Sequence, residues 1–104
     1  MGKTIISADG RFEWDAEKNE TNRKKHGIEF EEIIDVFDDP YFLVRYDETH
    51  SDTEDRWHGI GCINGVLVLL TTFIERDRIR IISARRADND LKELYYDNVR
   101  QISS

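Results

Sequence analysis

Five arginines fall within eleven residues of this chain: Arg76-Asp77-Arg78-Ile79-Arg80-Ile81-Ile82-Ser83-Ala84-Arg85-Arg86. A guanidinium is always charged and bonds phosphate oxygens in pairs, so such a run can hold an anion. The isoleucines in its middle read as a β-strand. Residues two apart on a strand share a face, so Arg78 and Arg80 point one way and Ile79 and Ile81 the other. Arg80 and Arg85 are five apart, and a straight strand puts them on opposite faces. A bulge, or a strand end near Ser83, would reconcile them. The second chemically versatile group is His26, preceded by Lys25 and followed by Gly27. An imidazole, with an unperturbed pKa of about 6.5, takes and gives protons around neutrality. Each signal has a plainer reading. The arginines balance nearby carboxylates on a solvated face, and His26 caps a helix C-terminus, where a cation is favoured.

Other groups carry weaker signals. The polar loop Asp47-Glu48-Thr49-His50-Ser51-Asp52 holds oxygen and nitrogen ligands, but no paired-His spacing or Cys pair accompanies it, so no metal is expected. His58 reads as a cross-strand neighbour and Cys62 as a small buried hydrophobe. No Gly-rich phosphate loop or Ser-His-Asp pattern is present, and no cofactor is implied.

These residues must be positioned by surrounding elements. Phe12-Glu13-Trp14 alternates like a short strand. Asp15 is an N-cap candidate and Gly27 a C-terminal stop for a helix between them. That helix is polar nearly all round, with Asn19, Asn22, Arg23 and His26 on one stripe. It either offers this stripe to a ligand or bonds nearby backbone with it. Phe30, Ile33, Ile34 and Phe37 give a second helix over residues 28–37 an apolar face, and Asp38-Asp39-Pro40 ends it. Strands follow at 41–46 and 56–63. Asn64-Gly65 favours a type I′ hairpin turn. The stretch 66–73, apolar on both faces, reads as a central strand. The arginine strand runs to about Ala84, and a last helix runs from near Asp88 to about Arg100, with Leu91, Leu94, Tyr95 and Val99 on its packing face. The order β-α-α-β-β-β-β-α, with short turns between the last four strands, predicts an antiparallel meander covered by helices on one face. This is an α+β, two-layer domain, packed by the N-terminal helical pair and the C-terminal helix.

The 104 residues suffice for one domain, over residues 12–100, with an N-terminal extension at 1–11 and a tail at 101–104. The extension reads as a loose stretch or an edge strand. A single cysteine excludes an internal disulfide and suits a reducing cytoplasm. No apolar run approaches the roughly 20 residues of a membrane span, and the start is too polar for a secretory signal. The net charge of −7 argues against a non-specific nucleic-acid binder. Acidic groups gather at 29–39 and 47–55, basic ones at 23–25 and 76–86. That distribution fits an anion on one side and a basic protein on the other.

Several stretches together resemble the BrnT toxins of bacterial BrnT–BrnA toxin–antitoxin pairs, which are similar in fold to the RelE group of small ribonucleases. They are Phe12-Glu13-Trp14-Asp15, Asn22 with Lys25-His26-Gly27-Ile28, Phe30-Glu31-Glu32, Val36-Phe37-Asp38-Asp39-Pro40, Arg56-Trp57, Ile60-Gly61, and Arg80-Ile81-Ile82-Ser83-Ala84-Arg85 with Ala87 and Tyr95. The resemblance implies a metal-independent endoribonuclease that slows translation in the cytoplasm. It also implies a ribbon-helix-helix antitoxin of the BrnA kind, with DNA bound only through that partner. The alternative is a non-catalytic module that keeps the antitoxin interface. Relatives often begin the last helix with Thr-x-x-Glu; here Leu91 stands at the Glu position and Asp88 can cap alone.

RNA cleavage without a metal needs a base for the 2′-hydroxyl, an acid for the leaving 5′-oxygen and cations on the phosphoryl oxygens. On this reading His26 moves protons, Lys25 assists by charge, and Arg76, Arg80 and Arg85 hold the scissile phosphate. Arg78, Arg86 and Tyr95 are candidate RNA contacts, a core tyrosine with a satisfied hydroxyl being the plainer reading of the last.

Overall fold

The computed structural model describes residues 2–103. Met1 and Ser104, the outermost residues of the expected extension and tail, lie outside the described residues. In chain order the elements are β1 (Thr4–Ile6), β2 (Phe12–Asp15), α1 (Ala16–His26), α2 (Phe30–Ile33), a 3-10 turn (Ile34–Asp38), β3 (Leu43–Tyr46), β4 (Trp57–Ile63), β5 (Leu67–Glu75), β6 (Ile79–Arg86) and α3 (Asn89–Ser103). The strands form one sheet in the order β1-β2-β6-β5-β4-β3. The last four strands make the expected antiparallel meander. β2 joins it in parallel, pairing Phe12, Glu13 and Trp14 with Ile79, Arg80 and Ile81. The expected extension supplies a strand of its own, β1, antiparallel to β2. It is tied down by the Ala16 N–H, which donates to the Lys3 carbonyl at 2.8 Å.

The expectation that all helices cover one face does not hold; the structure divides them. Leu67, Leu69 and Phe73 of β5 face the cluster built by Phe12, Trp14, Phe30, Ile33 and Val36, under α2 and the 3-10 turn. Val68 and Leu70 face the opposite way, into a second cluster with Ile60, Tyr95, Leu91 and Leu94 under α3. A strand apolar on both faces needs cover on both. The segment expected as one helix over 28–37 also tightens after one turn into 3-10 geometry, common at helix ends. α3 continues through Ser103, beyond the expected stop at Arg100.

Two turns follow from local chemistry. Asn64 and Gly65 both adopt positive φ, 56° and 71°, as a type I′ turn requires. The loop after β3 is folded around Asp47, which is 6% exposed. Its carboxylate accepts the backbone N–H groups of Thr49 and His50 and lies 3.0 Å from His50 Nδ1 and 3.2 Å from His58 Nε2. Burial by itself raises this carboxyl's pKa. The hydrogen bond from His50 and the nearby charges of His58 and His50 outweigh it, leaving Asp47 below the ordinary carboxylate range.

The crossing of β4 over the 3-10 turn is close. A Cβ on Gly59 would lie 2.1 Å from the Phe42 ring, and one on Gly61 2.9 Å from Val36 Cβ. Gly59→Ala is therefore expected to lower stability by about 1–3 kcal/mol, the usual cost of overpacking. A urea midpoint equal to the parent's would contradict that packing. Asp47, with its folded pKa below its unfolded one, adds stability that is present above the ordinary aspartate value of about 3.9 and lost as pH falls through the lower folded value. Asp47→Asn should flatten the acid limb of a melting-temperature profile; a decline parallel to the parent's would show that the carboxylate carries no such coupling.

Candidate active site

The helix α1 is placed by the shortness of β2. Beyond Trp14, the edge of β6 has no strand partner, and α1 lies along it instead. Asn22, buried in the middle of α1, accepts the Ala84 N–H through Oδ1 at 3.1 Å and donates through Nδ2 to the Ile28 carbonyl at 3.1 Å. Asn19 accepts the Phe30 N–H at 2.9 Å. Two of the four residues on the polar stripe therefore bond backbone, and the helix is polar because its partner is an unpaired sheet edge. Asp15 caps its start by accepting the Lys18 N–H, and Gly27, at φ 70°, ends it with an N–H donated to the Arg23 carbonyl.

Opposite this edge, β6 carries a bulge. Thr72 pairs with Ser83 but Phe73 pairs with Ile81, leaving Ile82 as the extra residue. The consequence for the arginines is direct. Arg80 is opposite Ile74 and Arg85 opposite Leu70; those partners are four apart on β5, so both arginines lie on one face. Arg86, opposite Leu69, lies on the other.

Between α1 and this face of β6 is an open cleft of about 790 Å³. His26, Lys25, Lys18, Arg80 and Ser83 line it, together with Thr21, Asn22, Asp15, Glu17, Thr4 and Gly2. It thus brings together an imidazole, two ammonium groups and a guanidinium. Arg80 is fixed from behind: one of its terminal nitrogens lies 2.5 Å from Glu13 Oε2, with both side chains mostly buried at 21% and 16% exposure. One guanidinium edge is committed to Glu13 and the remaining N–H groups stay available. Among the described residues Lys18 and Lys25 form no ion pair.

The other expected site residues lie elsewhere. Arg76 makes a two-point bond to Glu54 at 2.6 and 2.7 Å, which raises its pKa and lowers that of Glu54. Arg78 donates to the Gly10 carbonyl. Arg85 lines a second cleft of about 430 Å³ with Arg45, Tyr46 and His58. Tyr95 is 3% exposed, and its hydroxyl donates to Asp39 at 2.5 Å; burial first, then that bond, pushes its pKa far up. It packs in the core under α3, away from the cleft. Among the described residues no cluster of His, Cys, Asp and Glu is arranged to hold a metal, and no helix is long and apolar enough to cross a membrane. Sequence reasoning missed Lys18, although Lys18, Asn22 and Lys25 fall at i, i+4 and i+7, one face of α1. Arg45 had no such signal, because only strand register sets it beside β4.

Residues 14–90 match the family described as the ribonuclease toxin BrnT of type II toxin–antitoxin systems. The crystal structure of the Brucella abortus ribonuclease toxin BrnT superimposes with a TM-score of 0.57 at 28% sequence identity, covering 73% of this chain and 94% of that one. No curated protein matches. The family match begins inside β2, so β1, which contributes Thr4 to the cleft, lies outside it. A match over about three-quarters of the residues, together with the shared fold, places the chain in the BrnT family of ribonuclease toxins.

Proposed function

We propose that this protein is an endoribonuclease toxin working in the cytoplasm, and that the cleft between α1 and β6 holds the scissile phosphodiester. The observation that carries the reading is that His26, Lys25 and Arg80 line one hollow, although Arg80 is 54 residues beyond His26 in the chain. In the reaction the substrate's own 2′-oxygen attacks phosphorus. The P–O2′ bond forms as the P–O5′ bond breaks, giving a 2′,3′-cyclic phosphate and a free 5′-hydroxyl. The 2′-hydroxyl loses a proton and the departing 5′-oxygen gains one. His26, which lines the cleft and is half-buried, serves this proton transfer. Arg80 and Lys25 stabilise charge on the phosphoryl oxygens, a role that needs fixed cations in place before reaction. Glu13 is the positioning residue that keeps Arg80 from swinging away.

The side chains supply every charge this scheme requires, so it runs without a metal. A second reading, a binding module without catalysis, draws on the net charge of −7 and on the neutralisation of Arg80 by Glu13. In either case the family implies a cognate antitoxin. A groove of about 420 Å³ lined by Asp35, Asp38, Asp39, Tyr41 and Tyr96 offers a basic, ribbon-helix-helix partner of the BrnA kind a complementary surface. Growth arrest on induced expression, relieved by a co-expressed neighbouring gene, separates a toxin from a bare module.

Changing His26 to Ala is expected to slow RNA cleavage by about 10²–10⁴-fold, the usual contribution of general acid–base catalysis. Lys25→Ala and Arg80→Ala should each slow it as well, with unfolding midpoints recorded alongside. Cleavage at the parent rate by all three folded variants would leave the cleft without a catalytic role.

A further inference from the structure

The two clefts on the sheet are not separate features. Arg45 on β3 is directly opposite His58 on β4, His58 is opposite Thr72 on β5, and Thr72 is opposite Ser83 on β6. Directly opposed residues point to the same face. One polar row therefore crosses four strands, from Ser83 in the first cleft to His58 and Arg45 in the second. His58 Nδ1 lies 3.1 Å from the Thr72 hydroxyl, so the row is itself hydrogen-bonded. It spans three interstrand steps, or about 14 Å at the usual strand spacing. The bulge at Ile82 puts Arg85 on this face as well, and it lines the second cleft from β6 while Arg45 lines it from β3.

We propose that this row is a track for single-stranded RNA, in which Arg45 and Arg85 hold a second phosphate while the first cleft holds the scissile one. The proposal rests on the nuclease reading for its first seat and adds to it a binding site for the flanking nucleotides. Two features favour RNA. Among the described residues neither Arg45 nor Arg85 has an ion-pair partner, whereas Arg76 and Arg80 do. The row between the clefts carries hydroxyl and imidazole groups, with the buried Asp47 carboxylate held behind His58 at 3.2 Å, and such groups suit a sugar–phosphate backbone rather than an apolar peptide face. The second cleft also contains Asp88 and Asp90. Asp88 is engaged, accepting the Leu91 N–H at the start of α3. Asp90 opposes an incoming phosphate and tempers its affinity.

The test uses the full-length protein and a 2′-O-methyl oligonucleotide of about nine residues, which lacks the attacking hydroxyl and reports binding whether or not the protein cleaves. An Arg45→Ala/Arg85→Ala double variant should bind it ten-fold or more weakly. The slope of log affinity against log salt should become shallower by about 0.7 for each phosphate no longer neutralised. Asp90→Asn should bind a few-fold more tightly, which a damaged fold would not produce. On the parent protein, adding the oligonucleotide should shift the amide resonances of His58, Thr72 and Ser83. Unchanged affinity and salt slope in the double variant would overturn the proposal. So would retained RNA binding with impaired antitoxin binding, since the face would then be a protein-docking surface. If the parent binds through Arg45 and Arg85 but cleaves no RNA, the nuclease reading fails and the track stands.

Discussion

The hydrogen bond from the Ala84 N–H to Asn22 decides where the cleft between α1 and β6 lies. β2 is too short to cover β6, and the exposed backbone beyond Trp14 needs a partner, because an unpaired buried N–H costs about 1–3 kcal/mol. One asparagine in the middle of a polar helix meets that need, and its other amide group closes the loop at Ile28. With Asn22 engaged, the remaining residues of that helix face are aligned along β6. His26 and Lys25 thereby line the cleft that Arg80 lines from the sheet. The cleft exists because a helix stands where a strand would otherwise be.

Charge is distributed with the same economy. The chain is acidic overall, and much of its basic strand is neutralised locally: Arg76 by Glu54 and Arg80 by Glu13. The half-exposed Arg76–Glu54 pair contributes little to stability, while the Arg80–Glu13 pair is mostly buried. Their effect is to fix where each guanidinium stands. The cations without ion partners in the two clefts, Lys18 and Lys25 in one and Arg45 and Arg85 in the other, all border a single face of the sheet. A net negative protein can thus present a locally basic strip, and long-range repulsion of nucleic acid is relieved there.

Much of the fold was legible from patterns of short range. The Asn-Gly turn, the Asp15 and Gly27 helix limits, the apolar face of the segment 30–37 and the doubly apolar β5 all rest on local chemistry, and each appears in the structure. The parity conflict between Arg80 and Arg85 left a bulge or a strand end near Ser83 open on sequence grounds, and the structure has a bulge at Ile82. What was not legible depends on partners distant in sequence. Periodicity marks β5 as buried on both sides but does not say which helix covers which side. The parallel pairing of β2 with β6 has no sequence signature in residues 12–14. The polar stripe on α1 left open whether it would face a ligand or bond backbone, and only the fold shows Asn19 and Asn22 bonding backbone. Arg45 joins the basic face only through the register of β3 on β4.

The parallel pairing has a consequence in time. Glu13 and Arg80 are partners in the sheet and 67 residues apart in the chain, and pairings of such long sequence separation form slowly because loop closure must come first. During synthesis β2 and α1 emerge early and wait, their sheet edge unfilled, until β6 follows. A chain halted anywhere before Arg80 has the imidazole but no guanidinium opposite it. The cleft depends on a pairing of long sequence separation, so an unfinished copy has one wall of it and not the other.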